Sequence, residues 1–332
     1  MRQGPEREDH ATSSSGSHPA RRSPATARAG LLAAVIGVLA LGLTACDAPG
    51  PVRSSPGASA APSVSWPPLT ERGQAARLLD ELIAAAGSAH AIKVEFSAGE
   101  ATLTVVIGQQ AQTWAWRGGV VRPAETDPAY VGQAIFDPRD FALADLGNLF
   151  ARARRVSGSS QDQRLHILEY SNGRVFMSVT TNPESRPVFF RQDGSLVADL
   201  DFTTAPGLRE GLADVAAGHA EVLAVGLDAT SGGLYALSPG PTGVVQTLRM
   251  PQLPARDSTV ANAGRNSAPF DPSVIDPQAI ARVLARLPEL TGEARPAVTW
   301  VIEQRERAQP ALYVTASGRR IEATLAGTIV SS

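Results

Sequence analysis

A tripeptide, Phe136-Asp137-Pro138, recurs as Phe270-Asp271-Pro272, and its neighbours recur with it. At the same offset Gln112-Thr113-Trp114 matches Gln246-Thr247-Leu248, and His166-Ile167-Leu168-Glu169 matches Trp300-Val301-Ile302-Glu303. Leu149-Phe150-Ala151-Arg152 matches Val283-Leu284-Ala285-Arg286 in type. Asp193-Gly194-Ser195-Leu196-Val197 returns within a residue as Ala326-Gly327-Thr328-Ile329-Val330, and Ala85-Ala86-Gly87 with His90 parallels Ala216-Ala217-Gly218 with His219. Colinear matches along both halves indicate a tandem duplication. The fold must therefore be one that can be built twice, with the halves expected over 69–204 and 205–332.

Each half opens on a helix. Ala75, Leu78, Leu79, Leu82, Ile83 and Ala86 share a face at helical spacing, with Thr70 as N-cap; a weaker counterpart, interrupted by Gly211, runs from Leu208 to Ala217. Strand-like runs follow at Ala91 to Phe96, Ala101 to Ile107 and Ala111 to Trp116, answered by Glu221 to Leu227, Gly233 to Leu237 and Val244 to Met250. A second helix carries Leu143, Leu146, Leu149, Phe150 and Ala153. Its counterpart is capped by Asp276, takes Pro277 in its first turn and turns Ile280, Val283, Leu284 and Leu287 inward. Strands ending at Leu196 to Phe202 and Ile321 to Val330 close the halves. The fold class is α+β: two tandem repeats, each helix–strands–helix–strands, with antiparallel sheets covered by helices on one face.

Ahead of the repeats stands an uncharged run from Ala29 that ends in Leu43-Thr44-Ala45-Cys46. Its apolar part, Leu31 to Leu41, is too short to span a bilayer and suits the h-region of a signal peptide, with Arg21, Arg22 and Arg28 as the positive flank. The terminal tetrapeptide resembles a bacterial lipobox, which implies cleavage before Cys46 and a diacylglyceryl group on its thiol. Cys46 is the only cysteine, so disulfides, Cys-ligated metals and a Cys nucleophile are excluded. Residues 1–45 are then a signal peptide and 46–68 a lipidated cysteine followed by a Pro/Ser/Ala tether, reaching on the order of 25 Å as a flexible coil. The implied location is the extracytoplasmic face of the cell membrane.

Lys plus Arg number 30 against 32 Asp plus Glu, a balance without the footprint of a nucleic-acid binder. Lys93 is the sole lysine. The Arg, Ala, Gly and Pro richness suits a GC-rich, actinobacterial genome.

The duplicated helix-and-strands organisation, with last strands entered through Asp193-Gly194 or Ser317-Gly318, resembles the PepSY and beta-lactamase-inhibitor-protein-like modules of bacterial envelope proteins. That resemblance implies non-catalytic binding to an envelope protein or peptide. Leu82-Ile83-Ala84-Ala85-Ala86-Gly87-Ser88-Ala89-His90, behind a lipobox and tether, also resembles mycobacterial lipid-carrier lipoproteins, which implies an apolar ligand in an internal cavity.

The search for chemistry is mostly negative. G-x-S-x-G, H-E-x-x-H, Walker, Rossmann and S-x-x-K patterns are missing. His90 and His219 sit at matching helix-to-strand junctions, which suits a shared structural role, and His166 matches Trp300, which suits packing. Asp199 and Asp201 lie two apart on an expected strand and share a face, an arrangement that serves calcium or acid–base chemistry but equally a solvated face. Trp114 and Trp116 also share a face; aromatics so spaced form either a ligand platform or, more commonly, core. Two long connections, Arg117 to Phe136 and Pro251 to Phe270, carry Arg122 and Arg256 at matching offsets, where they can receive an anionic group or form loop ion pairs. The expectation is a non-enzymatic, lipid-anchored binding module without cofactor or metal. Its candidate binding residues are Arg122, Arg256, Trp114 and Trp116, and carriage of a lipid is the alternative.

Overall fold

The computed structural model describes residues 66–126, 129–183, 186–228, 230–241, 243–261, 267–305 and 309–331. The signal peptide, Cys46 and most of the tether lie outside them. The fold is α+β with two antiparallel sheets. The first half comprises α1 (Gln74–Ala86), β1 (Ala91–Phe96), β2 (Glu100–Ile107), β3 (Gln110–Arg117), β4 (Val120–Ala124), α2 (Leu146–Ser157), β5 (Arg164–Ser171), β6 (Arg174–Thr180) and β7 (Val188–Phe190). The second comprises α3 (Ala205–Ala216), β8 (Ala224–Leu227), β9 (Leu234–Gly240), β10 (Gly243–Arg249), β11 (Arg256–Val260), α4 (Pro277–Ala285), α5 (Leu287–Thr291), β12 (Val298–Glu303), β13 (Ala311–Ala316), β14 (Arg319–Ala323) and β15 (Ile329–Ser331).

The sheet orders are β4-β3-β2-β1-β5-β6-β7 and β11-β10-β9-β8-β12-β13-β14-β15. In each, a meander runs outward from the first strand, and a helix then returns the chain to pair the next strand on the other side of it. In the first half the buried faces of α1 and α2 share one apolar cluster with Val94, Phe96, Leu103, Leu165 and Ile167. In the second, Leu208, Leu212, Ile280 and Val283 share a cluster with Val225, Ala236, Trp300, Ile302 and Leu312.

Several boundaries differ from the sequence reading. Thr70 does not cap α1: the chain turns through 71–73, and Gly73, at φ 83°, precedes the helix without a side-chain cap. Leu143 is buried ahead of α2, whose cap is Asp145. Gly211 does not interrupt α3; a Cβ there would lie 2.6 Å from the Phe202 ring and 2.8 Å from Leu234, so the glycine permits close helix packing. Asp276 and Pro277 open α4 as expected. The two long connections are partly strand. β4 and β11 occupy their first stretches as edge strands; β11 carries one apolar residue, Val260, whereas β4 sets Arg122 and Pro123 among Val120, Val121 and Ala124. Leu196 makes only a single bridge to Phe190, and 197–202 is a connector rather than a strand. Asp199 and Asp201 therefore form no carboxylate pair on a sheet: Asp199 accepts from Gln252, and Asp201 from Thr203.

The register corrects the residue matching between halves. Val94 stands between Leu103 and Ile167; Val225 stands between Ala236 and Ile302. Trp114, opposite Leu103, therefore corresponds to Thr247, opposite Ala236, and Trp116 to Arg249. Leu165 rather than His166 corresponds to Trp300. A one-residue slip exchanges the faces of a strand, so the motif match that paired Trp114 with Leu248 joined residues on opposite faces.

Arg249 is consequently directed to the core side of its sheet and is 0% exposed. Its Nε donates to Asp214 Oδ2 at 2.9 Å, its Nη2 to the Ala198 carbonyl at 2.8 Å, and its Nη1 to the carbonyls of Met250 and Leu253. Asp214 also receives Arg191 Nη1 at 2.8 Å, and Arg191 reaches Glu210 at 3.0 Å. Arg191 ends the first sheet and Asp214 lies on α3, so this network joins the halves. Removing one partner of such a buried pair leaves an uncompensated charge. Asp214→Ala is expected to lower unfolding stability in urea by about 3–5 kcal/mol, against about 0.5 kcal/mol or less for exposed Arg122→Ala.

Candidate functional site

On the face opposite the core, each sheet carries one unbroken cross-strand row. In the first it reads Arg122, Ala115, Thr102, Glu95, His166, Ser178, Phe189 from β4 to β7. In the second it reads Arg256, Leu248, Tyr235, Gly226, Val301, Tyr313, Glu322 from β11 to β14. The two exposed arginines, Arg122 and Arg256, hold equivalent places, each on an edge strand rather than in a loop. Trp114 and Trp116 point the other way: Trp116 is 4% exposed in the first core, with Trp66 edge-on at 5.6 Å, and Trp114 packs against the same cluster. They are core residues and are not brought to the arginines. His90 and His219 lie between helix and strand in their halves.

The first row is a closed polar ladder. His166 Nδ1 lies 2.9 Å from Glu95 Oε1 and its Nε2 3.1 Å from Thr180 Oγ1; Thr102 Oγ1 donates to Glu95 Oε2 at 3.2 Å, and Lys93 Nζ approaches Glu95 at 3.3 Å. The hydrogen bond from His166 is the main cause that holds the Glu95 carboxyl at about 2, with Lys93 assisting and burial opposing. His166 does have polar partners, which the sequence match to Trp300 did not suggest.

The second row forms a cleft of about 530 Å³, lined by Tyr235, Val301, Tyr313, Arg305, Arg320 and Glu322 among others. Its floor is low because β8 carries Gly226, where a Cβ would meet the Tyr235 hydroxyl oxygen at 2.8 Å and the Trp300 carbonyl oxygen at 2.5 Å. Tyr235 leans into that space, and burial pushes its phenol up, with Glu303 and Asp228 adding to the effect. On the other side the Arg305 guanidinium lies over the Tyr313 ring at 3.9 Å and is oriented by Glu303. Arg320 is exposed at the rim. Two tyrosines and two arginines around an apolar floor are the composition of an interaction hot spot. Sequence reasoning missed all four; alternation of Tyr313 with buried Leu312 and Val314, or of Tyr235 with Leu234 and Ala236, would have placed the tyrosines on the outer face.

Contacts of β11 also join the halves. Asn172-Gly173 turns the β5–β6 hairpin, whose Ser171 and Asn172 bond the Asp257 backbone of β11, while Arg174 Nε reaches Asp257 Oδ2 at 3.1 Å. Thr247 donates to the other carboxylate oxygen at 2.7 Å.

Two outcomes check this geometry. Gly226→Ala should displace Tyr235 and change the near-ultraviolet circular dichroism of the cleft tyrosines. Glu95 ionises lower when folded than when unfolded, so its contribution to stability is present above pH 4.5 and lost as pH falls from there toward 2. Urea midpoints measured across that range should fall less steeply for Glu95→Gln than for the parent.

No family model matches the chain, and no curated protein matches it. Among solved structures it is similar to the DNA polymerase III β subunit of Thermotoga maritima, at 11% identity and TM-score 0.15, covering 74% of this chain and 58% of that one. The β subunit of Pseudomonas aeruginosa gives 13% identity and TM-score 0.16, covering 80% and 69%. PCNA of Thermococcus kodakaraensis gives 9% identity and TM-score 0.15, covering 75% and 94%. The chain spans about 58% of the length of the first of these relatives, and at such scores the overlaps fix neither fold nor function.

Proposed function

We propose that this protein is a lipid-anchored, extracytoplasmic interaction module without enzymatic activity. Cys46 carries the diacylglyceryl anchor, 46–68 forms the tether, and two repeats, each with helices over one face of its sheet, present their other faces to a protein or peptide partner. The observation that carries the reading is the tyrosine–arginine cleft on the outer face of the second sheet, built around Tyr235, Gly226, Tyr313 and Arg305. Arg122 and Arg256 extend the two outer rows as rim cations. The near-balance of charge favours a protein partner over nucleic acid. Both apolar clusters are filled by helix and strand side chains, and the clefts are open and partly polar, which favours surface recognition over carriage of a lipid.

Two experiments test this. In a lipoprotein-processing bacterium, Cys46→Ser should release the protein from the membrane fraction and abolish incorporation of labelled palmitate; retention would refute the anchor. A photocrosslinking residue at position 315, on the cleft lining, should yield one defined adduct in cells that Arg305→Glu with Tyr313→Ala removes. The same residue at exposed position 274 should yield none. Equal crosslinking at both positions would refute the cleft as the binding surface.

A further inference from the structure

A second cleft, of about 620 Å³, lies at the end of the first sheet, remote in sequence from the tyrosine–arginine cleft. It is bounded by the β1–β2 turn (Ser97 to Glu100), by α2 through Gly147 and Arg154, by the loop before β5 (Ser160 to Arg164), and by Asn182. Its walls mix Ala98, Gly99, Gly147, Phe150 and Ala151 with hydroxyls, amides and charged groups supplied by the turns and by α2. Several of those groups are already committed: Ser97 Oγ serves its own turn, Gln163 donates to the Phe150 carbonyl, and Glu100 lies 3.5 Å from Arg117. The guanidiniums of Arg154 and Arg164, the Asn182 amide and the Ser160 hydroxyl make no hydrogen bond or ion pair with described residues. Among the lining residues Asp162 is the uncommitted carboxylate, against two uncommitted guanidiniums.

We infer that this cleft binds a small molecule through an oxyanion group, a phosphate or a carboxylate, held by Arg154 and Arg164. Guanidiniums offer paired N–H donors that match such oxygens, and the amide and hydroxyl add neutral donors of the same sense. The site belongs to the first repeat alone in this form. Leu165 corresponds to Trp300 in register, so Thr299 takes the place of Arg164 in the second repeat, where that cation is lost. Arg164 also stands opposite Thr180, the hydroxyl that ends the Glu95–His166 ladder.

The test is calorimetric titration of the full mature domain with inorganic phosphate, with citrate and with glucose. Saturable binding of phosphate or citrate is expected, weakened about tenfold or more in Arg154→Gln and in Arg164→Gln and unchanged in Arg209→Gln, an exposed arginine of α3. Phosphate binding alone assigns a phosphate ester, and citrate binding alone assigns a carboxylate. Both arginines are exposed, so unchanged melting of the variants separates loss of binding from loss of fold. No heat up to about 10 mM of either anion, an affinity unaltered in both arginine variants, or equal binding of glucose would overturn the proposal. These outcomes are independent of partner crosslinking at the tyrosine–arginine cleft.

Discussion

The Arg249 guanidinium is a full positive charge with no solvent around it, and its neutralisation joins the halves of the molecule. In the first half the same place in the sheet holds Trp116, an apolar side chain that packs with Trp66 and α1. In the second the place is next to the connector from the first half. Arg249 donates there to the Ala198 carbonyl and, beyond its own strand, to the carbonyls of Met250 and Leu253, while Asp214 on α3 supplies the counter-charge. A buried ion pair of this kind contributes little net stability compared with a well-packed apolar pair. Here its geometry engages every nitrogen of the guanidinium, so the connector can lie in only one way against α3. Arg191, shared with Asp214 and Glu210, then sets the end of the first sheet against the same helix. The Arg191 guanidinium is correspondingly held above its ordinary value, chiefly by its hydrogen bond to Asp214.

Given that junction, two sheets of one topology present two different surfaces. The register-equivalent rows differ at nearly every position: Glu95 against Gly226, His166 against Val301, Ser178 against Tyr313. A side-chain ladder that satisfies itself needs small or medium polar residues whose tips meet across adjacent strands, and the first row has them. The second has a glycine at its centre instead, and the tyrosine beside it occupies the space the missing side chain leaves. One substitution on the middle strand thus separates a filled face from a concave one. Duplication followed by divergence at such positions creates a second surface without disturbing the core, because residues on one face of a strand alternate with those on the other.

The α+β class, the repeated topology and the first-half core were legible in the sequence, because apolar periodicity on α1, α2 and the central strands is strong. The faces of β10 and β12 were not. Motif matching aligns letters, and a residue gained or lost in a hairpin moves the alignment by one, which in a strand inverts the reading: Leu248 was matched to Trp114 although it lies on the other face. Edge strands were hidden for a different reason. Arg256-Asp257-Ser258-Thr259-Val260 lacks the alternation of a half-buried strand because its binding partners are a neighbouring backbone and a hairpin tip from the other half. Arg249 gave no local signal at all. An arginine after Thr247 and Leu248 reads as the wet end of a strand, and only the long-range approach of 198–200 and α3 makes it interior. Of the candidate binding residues, the two arginines were matched correctly because the slip in β10 is undone in the hairpin that follows it.

The outer edges of the two sheets differ at the place where the halves meet. In β11 the Asp257 N–H and C=O face outward and are taken by Ser171 and Asn172 of the hairpin, while the Asp257 carboxylate is gripped by Arg174 and Thr247. The equivalent residue in β4 is Pro123, opposite Trp114 as Asp257 is opposite Thr247. Proline has no N–H to offer a hairpin hydroxyl and no carboxylate to offer an arginine. The first sheet therefore cannot receive a second molecule as the second sheet receives the first. At the other end of the first sheet, 195–197 folds back on β7 and bonds its backbone at Phe189 and Arg191. Three of the four sheet edges among the described residues are thus blocked or already occupied, and what they leave unpaired is the side chains of the outer faces and the clefts between turns.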